Sequence, residues 1–464
     1  MSSATTAPAR PTVSATLLQR LAARSADLTL ADLDAHGLHV VRTAFADTLG
    51  VALAGSGAVS LGLVAGTMGD GSGSSSVLGD PRRRSPLDAG LLNAMAAHVL
   101  DYDDGNLELV GHPSTILVPT VLALGEETDA SGEDLAVAYA AGFEVLVRLA
   151  RGVNPGHYAR GWHPTSTLGV FGAAAAAARL LNLDADRTTV ALAIAASHAA
   201  GIKANFGTMT KALHIGQAVR HGLLAAKLAA AGFSADAHAL EAAQGFLAVY
   251  NGASTDVGAA MLADPEIYEV NRGLNPIKAY PCCHSTHGSI EAARRIHDEH
   301  APAPADIAKV EIVVDALRMP HTDRPHFDDA LSGKFSLQYV VARALVDGTV
   351  RLEHFDQDAH RDPVVQRLMA RTTVTAAPGD PTNSFAGQVT VTTSTGTVLS
   401  ALRDPALDPP ELHADPPHLW DKLADCAGRV LAPAEVQALV AALRAFPHSG
   451  NARTLARLAL GNAR

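Results

Sequence analysis

Apolar positions recur at helical spacing through the first half of the chain. Leu17, Leu18, Leu21 and Ala22 mark one stripe; Val40, Val41, Phe45, Leu49 and Val51 mark the next, stopped by Gly55. Further helices are predicted near 88–100, 115–126, 133–151, 166–181, 187–199, 214–231 and 236–249, separated by Gly, Pro, Asn or Asp. No strand-like alternation interrupts them, and the Gly/Ser tract at 69–76 reads as a surface loop. The pattern changes after about residue 265. Residues 309–314 (KVEIVV) alternate polar and apolar, and 388–402 form two β-branched runs around Thr395 and Gly396, the composition of a hairpin. Helical segments at 289–297, 335–345 and 363–370 lie around them, and helical spacing returns at 433–446 and 452–460 after a proline-rich connection at 405–417. The expected fold is mainly α. A large all-helical domain would span 1–268, begin in a frayed arm over the first 13 residues, and be completed by C-terminal helices within 409–464. A smaller α+β lid domain would occupy 269–408, with a ligand cleft between the two.

Composition narrows the function. With 464 residues, 48% of them hydrophobic, the chain can build large cores, which excludes disorder for most of it. The 36 Lys and Arg against 47 Asp and Glu leave a net charge of −11, with no basic block, so a nucleic-acid partner is not expected. The longest uncharged apolar run, 168–178, is too short to cross a bilayer, and the N-terminus has no signal-type apolar core. Three cysteines, two of them adjacent (Cys282, Cys283, Cys426), do not make a disulfide framework. These features give the expectation of a soluble cytoplasmic protein. The 21 histidines are the unusual part of the balance, since imidazole titrates nearest neutrality.

Four polar stretches sit at helix ends in apolar surroundings. Residues 98–113 (HVLDYDDGNLELVGHP) crowd Asp101, Asp103 and Asp104 together, where they either face water or shift one another's pKa. Residues 161–167 (GWHPTST) place hydroxyls ahead of an Ala-rich helix, either as a cap or as an anion site. In 205–216 (NFGTMTKALHIG), Lys211 and His214 are three apart and share a helical face, an arrangement found on ordinary surfaces and in sites that hold a carboxylate and move a proton. Residues 278–287 (KAYPCCHSTH) tempt a zinc reading, but the spacing is wrong and no second ligand pair stands elsewhere, so no metal is expected. Walker, dinucleotide-binding, nucleophile-elbow and HExxH motifs are missing from the sequence.

Taken in order, LDYDD with GHPS at 100–114, GWHPTSTLG at 161–169, FGTMTKALHIG, KAYPCCHSTH and KFSLQY at 334–339 make the chain resemble the MmgE/PrpD family over nearly its whole length. That family includes 2-methylcitrate dehydratase, cis-aconitate decarboxylase and iminodisuccinate epimerase. The resemblance implies a homodimer with its site between the domains, no metal or organic cofactor, and a small di- or tricarboxylate substrate. Carried over position by position, the catalytic residues would be Asp101, His112, His163, Lys211, His287 and Tyr339, with Thr165, Thr208, His214 and Lys278 binding substrate. The chain departs from the decarboxylase branch at Gly105 and Asn106, where a hydroxyl and an imidazole are missing, and from the citrate-type dehydratases at Thr115. The expected activity is a cofactor-independent lyase using Lys/His acid–base chemistry. A hydro-lyase ranks first, ahead of a decarboxylase of cis-aconitate type and an epimerase or isomerase. From another class, a silent carboxylate-binding dimeric scaffold would have lost Lys211, His163 or His287, and all three are present.

Overall fold

The computed structural model describes residues 15–460 apart from 70, 253–256, 273–274, 357, 380–381, 383, 408–415 and 417. The expected N-terminal arm and most of the proline-rich connection lie outside the described residues. What is described is mainly α-helical, with one four-stranded sheet and one two-stranded ribbon.

Local signals set the helix starts. Ser85 accepts from Asp88 N at 3.2 Å with Pro86 in the first turn, starting Pro86–Val99. Ser131 forms a capping box with Asp134 at the head of Gly132–Val153. Small residues then bring the helices close. Ala173 to Ala178 in Gly169–Leu180 are fully buried. A Cβ added at Gly222, in Met209–Ala230, would stand 2.4 Å from Ala173 Cβ and 2.8 Å from the Ala174 nitrogen. The helix carrying Lys211 is thus pressed against the Ala-rich helix that follows the GWHPTST segment. Gly222→Val is expected to cost about 1–3 kcal/mol of overpacking and to lower the midpoint in scanning calorimetry by several degrees; an unchanged midpoint would show that these helices can move apart freely.

Both ends of the described chain feed one core. Leu419–Gly428 lies on Ala35–Gly55, with Leu423 Cδ1 2.9 Å from the Cβ position of Gly50. The Phe446 ring meets Phe45 at 4.4 Å, and Leu439, Leu443 and Leu455 join Val41, Leu117 and Leu146 in the same cluster. A second core is built on the sheet. Strands β3 (Ile307–Val314), β4 (Thr372–Ala376), β5 (Gly387–Thr393) and β6 (Val398–Arg403) run in the order β4-β3-β5-β6, with β3 and β4 parallel and the other pairs antiparallel. Val310, Ile312, Val389 and Val391 point into a cluster with Ile290 and Ala293 of His287–His300 and Val341 and Leu345 of Leu337–Asp347.

Three features differ from the sequence expectation. Part of the Gly/Ser tract is a strand, β1 (Ser75–Val77), paired with β2 (Asp80–Arg84); the buried Glu126 carboxylate takes both the Ser76 N–H and its hydroxyl, giving polar residues a reason to leave water. The helix expected over 236–249 is confined to Phe246–Asn251, because the preceding residues fold into turns that close on the backbone around Gly245. Strand β4 was not expected, since TTVTA at a sheet edge shows no apolar alternation. Among the described residues no single helix is long and apolar enough to cross a membrane; the bent pair Ala35–Gly55 and Val59–Thr67 passes by length and composition only, and the first of these is largely buried in the core.

Candidate active site

The Pro86–Val99 helix ends at Leu100, and Asp101 turns the chain through a left-handed conformation, φ +52°, that Asp tolerates better than most residues. The turn buries the Asp101 carboxylate between two cations. Lys211 Nζ donates to Oδ1 at 2.9 Å and Lys278 Nζ to the same oxygen at 2.8 Å, the latter also reaching the Asp101 carbonyl. Burial pushes the carboxyl up, but Lys211 and Lys278 outweigh it and hold it well below the usual range. The same pairing, with Asp103 beside it, keeps Lys278 above its ordinary value against its burial. Lys211 extends between the faces of Phe206 and Phe335, its Nζ 5.2 and 5.1 Å from the ring centres.

Residues 106–111 form a short bridge, Asn106 N donating to the Gly111 carbonyl at 2.8 Å, which returns His112 beneath Asp101. His112 Nδ1 lies 2.6 Å from the Asp104 carbonyl. A carbonyl only accepts, so Nδ1 carries the proton and the neutral ring offers its Nε2 lone pair, 4.0 Å from Asp101 Oδ1. Asp103 accepts from His98 Nδ1 at 2.7 Å and lies 3.5 Å from His112 Nδ1. His98, Asp103 and His112 stand close enough to hold a metal ion, but their facing atoms are committed to one another and to the Asp104 carbonyl, so the trio reads as a hydrogen-bonded relay. Asp104 behaves differently from its neighbours. Burial drives its carboxyl well above the ordinary value, against its bonds from Ser114, and Tyr139 closes the network on the Ser114 hydroxyl at 2.7 Å.

His163 Nδ1 meets His214 Nδ1 at 3.2 Å, and the Phe206 ring stands edge-on to it at 4.8 Å. Burial holds His163 and His112 well below the ordinary imidazole value and brings His214 down to about 4, so all three are neutral at pH 7. Thr165 is buried and accepts the His112 N–H at 3.2 Å.

These groups open on a small cavity that is partly open to solvent. Of the residues expected from the sequence, Asp101, His112, His163, Lys211 and Thr165 line it. Lys278 and His214 stand one contact behind, through Asp101 and His163. Three candidates are placed elsewhere. His287 begins the His287–His300 helix, packs against Tyr280 and His284, and lines a separate, larger groove. The Tyr339 hydroxyl donates to the His354 carbonyl inside the second core. Thr208 is an exposed helix cap bonded to the Asn205 carbonyl. The departure at Gly105 has a spatial counterpart, for a Cβ there would lie 3.0 Å from His284 Nδ1; the imidazole takes the room a larger side chain would need.

Tyr158, Ser285, Arg318 and His321, none of them expected from the sequence, also line the cavity, and Lys422 is a further residue without a sequence signal. Lys422 comes from the C-terminal Leu419–Gly428 helix, pairs with buried Asp47 at 2.7 Å, and donates to the Tyr102 and Lys278 carbonyls at 2.6 and 2.9 Å. It therefore ties down the two backbone segments that bear Asp101 and Lys278.

Residues 19–256 match the model of the MmgE/PrpD N-terminal domain and residues 280–445 that of the C-terminal domain. The chain belongs to the MmgE/PrpD family. Among its relatives is a cis-aconitate decarboxylase of Mus musculus, 32% identical over 347 residues that cover 71% of this chain and 70% of that protein. A cis-aconitate decarboxylase of Homo sapiens is 33% identical over 310 residues, 64% and 63% of the two chains. A cis-aconitate decarboxylase-like protein, oryM, of Aspergillus oryzae is 28% identical over 381 residues, 75% and 78%. The first MmgE/PrpD segment supplies Asp101, His112, His163 and Lys211, and the second supplies Ser285, Arg318 and His321, so the cavity wall draws on both matched regions.

Proposed function

We propose that the protein is a lyase that acts next to a carboxylate of a small tricarboxylate, with the acid–base work done by its own side chains, and that the reaction is decarboxylation of a cis-aconitate-like unsaturated acid. The observation that carries this reading is the buried Asp101–Lys211–Lys278 cluster facing two neutral histidines in one cavity. The named relatives move decarboxylation ahead of the dehydration that the sequence alone ranks first.

In the proposed step Lys211 holds one substrate carboxylate. The C–C bond to a second carboxylate breaks and CO2 leaves; the electron pair delocalises through the double bond toward the carboxylate held by Lys211, whose cation stabilises the developing charge. The Lys211 ammonium then delivers the proton to carbon, and Asp101 and Lys278 hold it in line. Dehydration is the second reading, favoured by one observation: the exposed lone pair of His112 Nε2 is a base suited to taking a proton beside a carboxylate while Lys211 protonates the departing hydroxyl. In both cases the 269–408 unit is proposed to close as a lid over the mainly helical unit, within a homodimer.

Incubation with cis-aconitate and with hydroxy tricarboxylates in deuterated water, followed by NMR and mass spectrometry, separates these readings. The expected result is one CO2 released for each deuterium incorporated. Water loss from a hydroxy acid without CO2 would move the assignment to a hydro-lyase, exchange without loss to an epimerase, and no reaction across the panel would overturn the lyase reading.

A further inference from the structure

After β3 the chain makes a capped turn. Asp315 accepts from Leu317 N at 2.9 Å and from Thr382 N at 2.7 Å, leading into the short helix Met319–Thr322. Arg318 and His321, three residues apart, come off this turn on one face and line the same cavity as Lys211. Both are buried, with 1% and 4% of their surface exposed. Arg318 Nε is anchored on the Ser384 carbonyl, and its guanidinium lies 4.0 Å from the centre of the Phe385 ring. His321 Nε2 reaches Ser285 Oγ at 3.2 Å and the Tyr158 hydroxyl at 3.4 Å, while its Nδ1 is buried with no hydrogen-bond partner among the described residues. The Phe206 ring touches His321, His163 and Lys211, so the two groups of polar side chains share one cavity across a single aromatic residue.

We infer that Arg318, His321, Ser285 and Tyr158 form a second carboxylate subsite, which holds a carboxylate of the substrate other than the one bound by Lys211. Arg318 supplies the charge, the hydroxyls and the imidazole supply directed donors, and Phe385 and Phe206 exclude water from the contact. Its surroundings suit an anion. Burial, then Lys203, Arg318, Arg324 and Lys211, hold His321 well below the ordinary imidazole value, so the ring is a neutral hydrogen-bonding group in a positive setting. On the opposite wall the Asp101 carboxylate is already engaged by Lys211 and Lys278, and Asp103 behind it by His98. A site with two such stations selects a polycarboxylate over a monocarboxylate, and this specificity rests on the lyase reading above.

The test is calorimetric binding of two unreactive ligands, propane-1,2,3-tricarboxylate and butyrate, which carries a single carboxylate, to the wild type, Arg318→Gln and the double variant Ser285→Ala/His321→Gln. Folding is checked by circular dichroism, and the double variant, which keeps the Arg318 anchor, serves if Arg318→Gln does not fold. The wild type is expected to prefer the tricarboxylate by about tenfold or more, and each folded variant to lose most of that preference while binding butyrate within about threefold of wild type. A preference that persists in the variants, or an equal loss for both ligands, overturns the subsite and leaves the lyase reading standing. A wild type that binds neither ligand overturns the lyase reading, and the subsite with it.

Discussion

Lys211→Met is expected to lower kcat/KM by about a thousandfold, because in the proposed step it removes both the cation that stabilises developing charge and the acid that delivers the proton, effects worth about 10²–10⁴ each when not fully additive. The side chain is isosteric enough to fill the slot between Phe206 and Phe335, so packing survives and the loss falls on chemistry. Asp101 keeps Lys278 at 2.8 Å and is not left as a bare buried charge. Arginine is not expected to rescue, since a planar guanidinium cannot occupy a slot bounded by two ring faces about 5 Å away and still reach Asp101. Steady-state kinetics on the substrate identified in deuterated water, with circular dichroism confirming the fold, measures the effect. A variant that keeps kcat/KM within tenfold of wild type would remove Lys211 from the reaction.

The largest expected effect on stability belongs to Lys422. Lys422→Met strips a buried aspartate of its cation and two buried carbonyls of their donor, a loss of about 3–5 kcal/mol, read from the shift in denaturant midpoint. In the wild type, burial already raises the Asp47 carboxyl against the pull of Lys422. Without the lysine Asp47 rises further and takes up a proton on folding. An acid whose folded pKa lies above its unfolded one stabilises most at low pH and loses that contribution as pH rises, so the variant's deficit should shrink between pH 7 and pH 5. Asp47→Asn/Lys422→Met should recover most of the stability at pH 7, as expected when an ion pair is removed whole. If the single and double variants are equally unstable, the cost lies in the Tyr102 and Lys278 carbonyls rather than in Asp47.

Much of the mainly helical fold could be read from apolar spacing, because each long helix carries its own stripe, caps and stops. The strand β4 and the ribbon at 75–84 could not, because their stability comes from partners far away: β4 pairs with β3 across some sixty residues, and Ser75 and Ser76 are satisfied by the Ser114–Thr128 helix. The same division runs through the site. Asp101, His112, His163 and Lys211 were visible because each belongs to a dense polar segment within an apolar stretch. Arg318 and His321 lie in DALRMPHTD, which has no such contrast, and only the fold of the β3 turn brings them to the cavity. His287 and Tyr339 show the converse. Their segments stand out as motifs, yet His287 faces the neighbouring groove and Tyr339 is taken up by the second core.

Lys422 also bears on when the site comes into being. Its carbonyl partner Tyr102 is 320 residues earlier in the chain, so a ribosome finishes the Asp101 turn, the Lys211 helix and the entire sheet before the residue that fastens them has been made. Nascent chains ending short of the Leu419–Gly428 helix would hold every cavity-lining group named above while lacking the donor to Tyr102 and Lys278. Activity is therefore expected only once the Leu419–Gly428 helix has been made, and proteolytic clipping near this helix is expected to abolish it without touching a cavity-lining residue.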